Sequence, residues 1–242
     1  MTYCVGLKLN AGLVMLSDTR TNAGLDNIST YRKMFFFENP GERVIAIMTA
    51  GSLSVTQTTL ARLQEAIDDE MADETTSIMQ APTMLQIAAI IGDTLARTRR
   101  EIADQCRELK QSQASASMIV AGQRSGGDMR LFLIYPEGNH IEATEDTPFL
   151  QIGEHKYGKP ILDRVVTPAT GLQDAQKAVL LSMDSTLRSN LSVGMPLDLA
   201  IIAKDECKIS QRRRIMDGDP DFAQMSAAWS AALRDSFVKV SI

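Results

Sequence analysis

Threonine stands at position 2, behind Met1. Removing that methionine would leave a hydroxyl and a free α-amine on neighbouring carbons of one residue. Such an amine has an unperturbed pKa near ~8, so it can take the hydroxyl proton, directly or through one water, close to neutral pH. A weak alcohol nucleophile then carries its own base. While Met1 remains, the same nitrogen is a peptide nitrogen and cannot serve. Asp18 and Arg20 are two residues apart, so on a strand they face the same side. Lys33 stands just before an apolar run. A lysine held near the threonine favours its deprotonated forms, and an aspartate beside the lysine keeps it charged and oriented. Taken singly, these features also read as an ordinary processed terminus and a structural ion pair.

Other chemistries lack their parts. The chain has two histidines, His140 and His155, and neither accompanies a GxSxG elbow of the kind a Ser-His-Asp system uses. HExxH, P-loop and GxGxxG motifs do not occur. Residues 217–221 (Asp-Gly-Asp-Pro-Asp) resemble a calcium loop, but Phe222 stands where that loop needs glycine. They read as a solvated acidic loop. Arg212-Arg213-Arg214 reads as a strand end or salt-bridge patch, and Phe35-Phe36-Phe37 as core. Cys4, Cys106 and Cys207 are too scattered for a disulfide framework or a structural zinc site and read as reduced packing residues. No metal or organic cofactor is expected.

The elements that must hold the site begin with β-structure. Residues 3–9 and 13–16 flank a turn signal at 10–12, a hairpin. Runs at 34–37 and 44–48 follow, separated by Asn39-Pro40-Gly41. After Gly51, Ser52 reads as an N-cap, and Leu53, Leu60, Leu63 and Ile67 recur at helical spacing. Residues 68–80 read as a loop. Thr83 and Gln86 suggest a capping box, and Met84, Ile87, Ala88, Ile91, Leu95 and Ile102 form one stripe of a helix ending near Lys110. Strands return at 117–121 and 130–135, around Ile141, and at 149–152. A second capping box at Thr170 and Gln173 would open a helix carrying Ala175, Ala178, Val179, Ser182, Met183 and Thr186. Residues 197–203 read as a strand that 207–212 could pair with, and 220–235 as a final helix with Trp229. Two strand groups and two helix groups predict two sheets packed together with helices outside. There is no repeat or composition break, so one domain over residues 1–242 is expected, with a C-terminal extension from about 213.

Charge and composition agree with that class. With 25 basic and 30 acidic residues the formal charge is -5, which argues against nucleic acid as a partner. The start has no secretory pattern, and no apolar run approaches the ~20 residues of a membrane span. A cytoplasmic protein without membrane or nucleic-acid partners is the expectation.

The series Thr2, then Ser17-Asp18-Thr19-Arg20, then Lys33, then Thr49-Ala50-Gly51-Ser52 resembles the proteasome β-subunit pattern of the N-terminal nucleophile (Ntn) hydrolases. Within that family the run Ser189-Asn190-Leu191-Ser192-Val193-Gly194 looks most like the bacterial proteasome-like group called Anbu. The chain is longer than a typical HslV subunit, and its length after about Cys207 suits Anbu better. The resemblance implies an α/β (α+β) fold, a four-layer αββα sandwich of two antiparallel sheets. It implies a threonine-type endopeptidase forming an acyl-enzyme inside a ring or open helical assembly of identical subunits, acting on peptide or unfolded protein. Thr2 would be nucleophile and base, Asp18 and Lys33 the tuning pair, and Arg20 a buttress. The Gly51 N–H would be the oxyanion donor, and Ser192 would stand near the threonine amine. Thr21, Asn22, Thr49 and Leu53 would line the substrate pocket. Two departures stand out. Gly153-Glu154-His155 replaces the family's Gly-Ser-Gly, and Ser189 or Asn190 occupies a family aspartate's place. A noncatalytic subunit of the same fold, or an Ntn amidohydrolase acting on a small amide, is the alternative.

Overall fold

In the computed structural model, which describes residues 2–22, 28–107 and 114–241, seventeen elements follow one another. They are β1 (Tyr3–Leu9), β2 (Gly12–Ser17), β3 (Arg20–Asn22), β4 (Ile28–Thr30), β5 (Met34–Asn39), β6 (Arg43–Gly51), α1 (Leu53–Asp68), α2 (Met84–Arg107), β7 (Ala116–Arg124), β8 (Arg130–Ile134), β9 (His140–Glu142), β10 (Phe149–Gly153), α3 (Lys159–Val165), α4 (Leu172–Ser189), β11 (Leu197–Ala203), β12 (Gln211–Ile215) and α5 (Pro220–Lys239).

Alternation within β1 sets the layers. Tyr3, Val5, Leu7 and Leu9 join one buried cluster with Leu162, Ala175, Val179 and Met183 from α3 and α4. Cys4 joins a second cluster with Met15, Met48, Ile119 and Leu131. A strand apolar on both faces must lie inside a stack rather than on a solvated sheet. The first sheet runs β10-β1-β2-β11-β12 and the second β5-β6-β7-β8-β9, every pairing antiparallel. The Cys4 cluster fills the space between the sheets. A third cluster, with Ile45, Ile47, Ile87, Ile91 and Leu95, packs the second sheet under α1 and α2. Three apolar interlayers make a four-layer αββα sandwich.

Some local expectations are corrected. The partner of β11 is β12, Gln211–Ile215, rather than a strand from Cys207; Asp205 and Cys207 take left-handed φ of 65° and 45°, so the chain is still turning there. Ser52 is at the N-cap of α1, but its hydroxyl meets that of Ser54 at 2.9 Å instead of capping. Thr83 does accept the Gln86 N–H at 3.1 Å, while the Gln86 side chain reaches the Glu74 carbonyl, so only half the box forms. Gly171, not Thr170, precedes α4; the Thr170 hydroxyl accepts the Thr167 N–H at 2.9 Å. The helix end expected near Lys110 and the side chain of Cys106 lie outside the described residues.

The acidic loop and the arginine run find each other. Asp219 caps α5 through the Phe222 N–H at 3.0 Å and binds Arg213 at 2.8 Å. Arg214 pairs with Asp198 across β12 and β11, and the Arg212 guanidinium sits 4.8 Å over the Phe36 ring. Among the described residues, no helix is long and apolar enough to cross a membrane.

Candidate active site

Thr2 is fixed by the strand it opens. Its carbonyl accepts the Glu154 N–H at 2.7 Å, and Tyr3 pairs with Gly153 at the end of β10. Gly153 has φ of 81°, and a Cβ there would stand 1.8 Å from the Thr2 oxygen, so the approach requires glycine. Glu154 therefore serves Thr2 through its backbone, while His155 is exposed, its Nδ1 3.1 Å from the Gly153 carbonyl oxygen. Behind Thr2 the Tyr3 ring is buried, its hydroxyl bonded to Ser182 and Gln151, both at 2.6 Å. Burial pushes that phenol up to about 12, so it stays a neutral anchor.

Asp18 follows β2 directly and is fully buried. Its Oδ1 accepts both the Lys33 ammonium at 2.7 Å and the Tyr3 N–H at 3.1 Å. Its Oδ2 accepts the Gly194 N–H at 3.3 Å. Burial pushes the Asp18 carboxyl up from its ordinary value, and Lys33 and the two backbone amides pull against that rise. Lys33 also donates to the Arg20 carbonyl at 2.6 Å, and its own carbonyl takes the Thr49 N–H at 2.9 Å. Both ends of the lysine are thus fixed. Arg20 Nη1 donates to the Leu191 carbonyl at 2.9 Å, and Gly194 lies against its guanidinium; a Cβ there would be 2.2 Å from Nε. Arg20 thereby holds the 191–194 loop, and that loop holds Asp18.

A cavity of about 300 Å3 opens beside these groups, lined by Thr2, Thr21, Lys33, Thr49, Ala50, Gly51, Leu53 and Thr56. Gly51 has φ of 110°, and a Cβ there would meet the Ser115 carbonyl oxygen at 2.3 Å. Only glycine fits there. The buried Cys4 thiol, 3.8 Å from the Thr49 carbonyl, is pushed up by desolvation and is no rival nucleophile.

The sequence-predicted residues Thr2, Lys33, Gly51, Thr21, Thr49 and Leu53 thus share one cavity, with Asp18 and Arg20 directly behind it. Ser192 is half-buried in the loop beyond α4, its N–H bonded to Asn190 Oδ1 at 2.9 Å, and it is not among the lining residues. The Asn22 side chain lies outside the described residues. Tyr3 and Thr56 escaped the sequence reading, and Ala50 and Gly194 entered it only as members of motifs, with no role of their own. Thr56 lies three residues past Leu53, one helical turn along, and that spacing could have revealed it.

The family model described as proteasome subunit matches residues 2–202. No curated protein matches the chain. Among solved structures, an Anbu (Gly-1) mutant from Hyphomicrobium sp. strain MC1 is 47% identical, covering 100% of this chain and 99% of its own, with a TM-score of 0.93. Anbu (ancestral beta-subunit) from Yersinia bercovieri is 42% identical over 99% of this chain and 98% of its own, TM-score 0.89. The helical assembly of the Anbu complex from Pseudomonas aeruginosa is 42% identical over 99% and 97%, TM-score 0.91.

Proposed function

Because the chain belongs to the proteasome family and, within it, to the Anbu group, we propose that it is a threonine-type peptidase whose nucleophile is Thr2, exposed by removal of Met1. The observation that carries this reading is that Thr2 and Lys33 line one cavity while Asp18 bonds both the lysine and the amide next to Thr2. In the reaction, the Thr2 amine takes the proton from Oγ as Oγ attacks the scissile carbonyl carbon. The oxygen of that carbonyl gains the negative charge and faces the Gly51 N–H. Collapse breaks the C–N bond, and the proton held by the Thr2 amine passes to the departing amine. The acyl group stays on Oγ as an ester. Water, giving a proton to the freed α-amine, then attacks the ester; as the acyl C–Oγ bond breaks, that proton passes to Oγ and the acid is released. The Lys33 ammonium lowers the cost of negative charge at Oγ throughout.

Identical subunits are the proposed partners, in a closed ring or an open helical array. The Pseudomonas aeruginosa relative is described as a helical assembly; heterologous contacts give either form, depending on whether the rotation closes. Peptide or unfolded protein is the proposed substrate. Thr2→Ala tests the assignment. Hydrolysis of a fluorogenic peptide should fall by at least about a thousandfold, with the assembled mass unchanged by light scattering. Turnover at the unsubstituted rate would remove Thr2 from the mechanism.

A further inference from the structure

We propose that Thr19 is a positioning residue for the reaction: its hydroxyl and its N–H hold the 191–196 loop where the Gly194 amide reaches Asp18. The inference rests on the reading of Thr2 as nucleophile. Thr19 stands between Asp18 and Arg20 and is fully buried. Its Oγ1 donates to the Pro196 carbonyl at 2.7 Å, and its N–H donates to the Gly194 carbonyl at 3.4 Å. The segment that carries Asp18 is thus tied twice to the loop that carries the Gly194 N–H, and the hydroxyl makes the shorter tie.

What the loop delivers is one bond. Asp18 Oδ1 accepts from Lys33 and from the Tyr3 N–H, while Oδ2 accepts from the Gly194 N–H at 3.3 Å. Rotation about the Cβ–Cγ bond of an aspartate is soft, so the carboxylate keeps its plane only while both oxygens are held. A bond of 3.3 Å is already long, and a small retreat of Gly194 would break it. Oδ1 would then turn, and with it the Lys33 ammonium, whose side chain lines the cavity with Thr2.

The outer side of the loop does not supply this precision. Val193, Met195 and Pro196 border a cavity of about 580 Å3 that they share with Phe222 and Ala223 of α5. Arg20 holds the far end of the loop, at the Leu191 carbonyl. Pro196 is half-buried; without the Thr19 hydroxyl its carbonyl would turn toward water and draw the loop away from Asp18. Thr19 does not line the cavity beside Thr2. Its loss should therefore slow the reaction without weakening the binding of a probe.

The test adds a peptide vinyl sulfone to the assembled protein and to the T19V, T19A and T19S variants. Adduct formation on Thr2 is timed by intact mass over a range of probe concentrations. Valine keeps the shape and drops the donor, alanine drops both, and serine keeps the donor. In T19V the maximal adduct rate should fall about tenfold, while the half-saturating probe concentration stays within about twofold. T19A should lose at least as much, and it carries the result if T19V does not assemble. T19S should keep the parent rate within about twofold. T19V or T19A reacting at the parent rate overturns the proposal and leaves Thr2 as nucleophile. So does T19S falling as far as T19V, which would put the effect in the methyl group. A raised half-saturating concentration at an unchanged maximal rate would place Thr19 in probe binding and also overturn it. No adduct on the unsubstituted protein removes the nucleophile and overturns both readings.

Discussion

Lys33 and Asp18 meet where neither has water, with side-chain exposures of 4% and 0%. Removing one partner of such a pair leaves the other desolvated and unmatched. Lys33→Ala should therefore cost about 3–5 kcal/mol of stability near neutral pH, in addition to slowing acylation. Replacing both members, Asp18→Asn with Lys33→Met, should recover most of that stability by urea denaturation. Adduct formation in the double variant should stay about a hundredfold slow, because no cation faces Thr2. The penalty of Lys33→Ala also has a sign in pH. Burial raises the Asp18 carboxyl, and losing the ammonium raises it further. A group raised in the fold gives stability that is full below its unfolded value and is lost as pH rises through its folded value. The variant should accordingly approach the parent on acidification and fall away from it as pH rises; equal losses at both ends would contradict the pairing. Asp18 and Lys33 were legible from their types and positions, and Gly51 through the family resemblance. Tyr3 and Gly194 were not, since they act through a backbone amide or a hydroxyl on partners up to 179 residues distant.

At the scale of elements, the junction of β1 with β10 positions Thr2, the proposed nucleophile. Gly153→Ala would set a methyl group against the Thr2 carbonyl oxygen. The strand end must then shift, and adduct formation on Thr2 should fall by about a hundredfold. Gly126→Ala is the matched control. Gly126 has φ of 73° and open space, with nothing within 4 Å of where a Cβ would stand, so its cost is about 1 kcal/mol of backbone strain and the adduct rate is unchanged. Equal effects of the two changes on the adduct rate would detach β10 from the site. Long periodic segments were readable in advance: the stripe of α2 and the apolar run of β11 fall where their patterns put them. The β3–β4 hairpin, with strands of three residues, and α3, with seven, are too short for a period to emerge. Caps were read less well, because a serine or threonine hydroxyl has several local partners to choose from. Ser52 and Thr170 took theirs outside the helix ladder.

At the scale of the whole molecule, the family match ends at residue 202, while β12 and α5 continue the fold beyond it. Their attachment is partly polar. Ser226 on α5 donates to the buried Asp184 of α4 at 2.7 Å and accepts from Arg188 at 2.6 Å. Ser226→Ala should cost about 1–3 kcal/mol and speed amide hydrogen exchange along α5. Unchanged protection would mean that apolar packing by Phe222 and Met225 alone holds the helix. The layers themselves followed from the order of strand and helix groups in the sequence, but the polar clasp, joining residues 42 apart, carried no local signal. For the central claim, the most direct measurement is the intact mass of the purified protein before and after incubation with a β-lactone or peptide vinyl sulfone. A chain that lacks Met1 and gains a single adduct, mapped to Thr2, is the predicted result; a chain that keeps Met1 and gains none would contradict it and leave a noncatalytic subunit of the same fold.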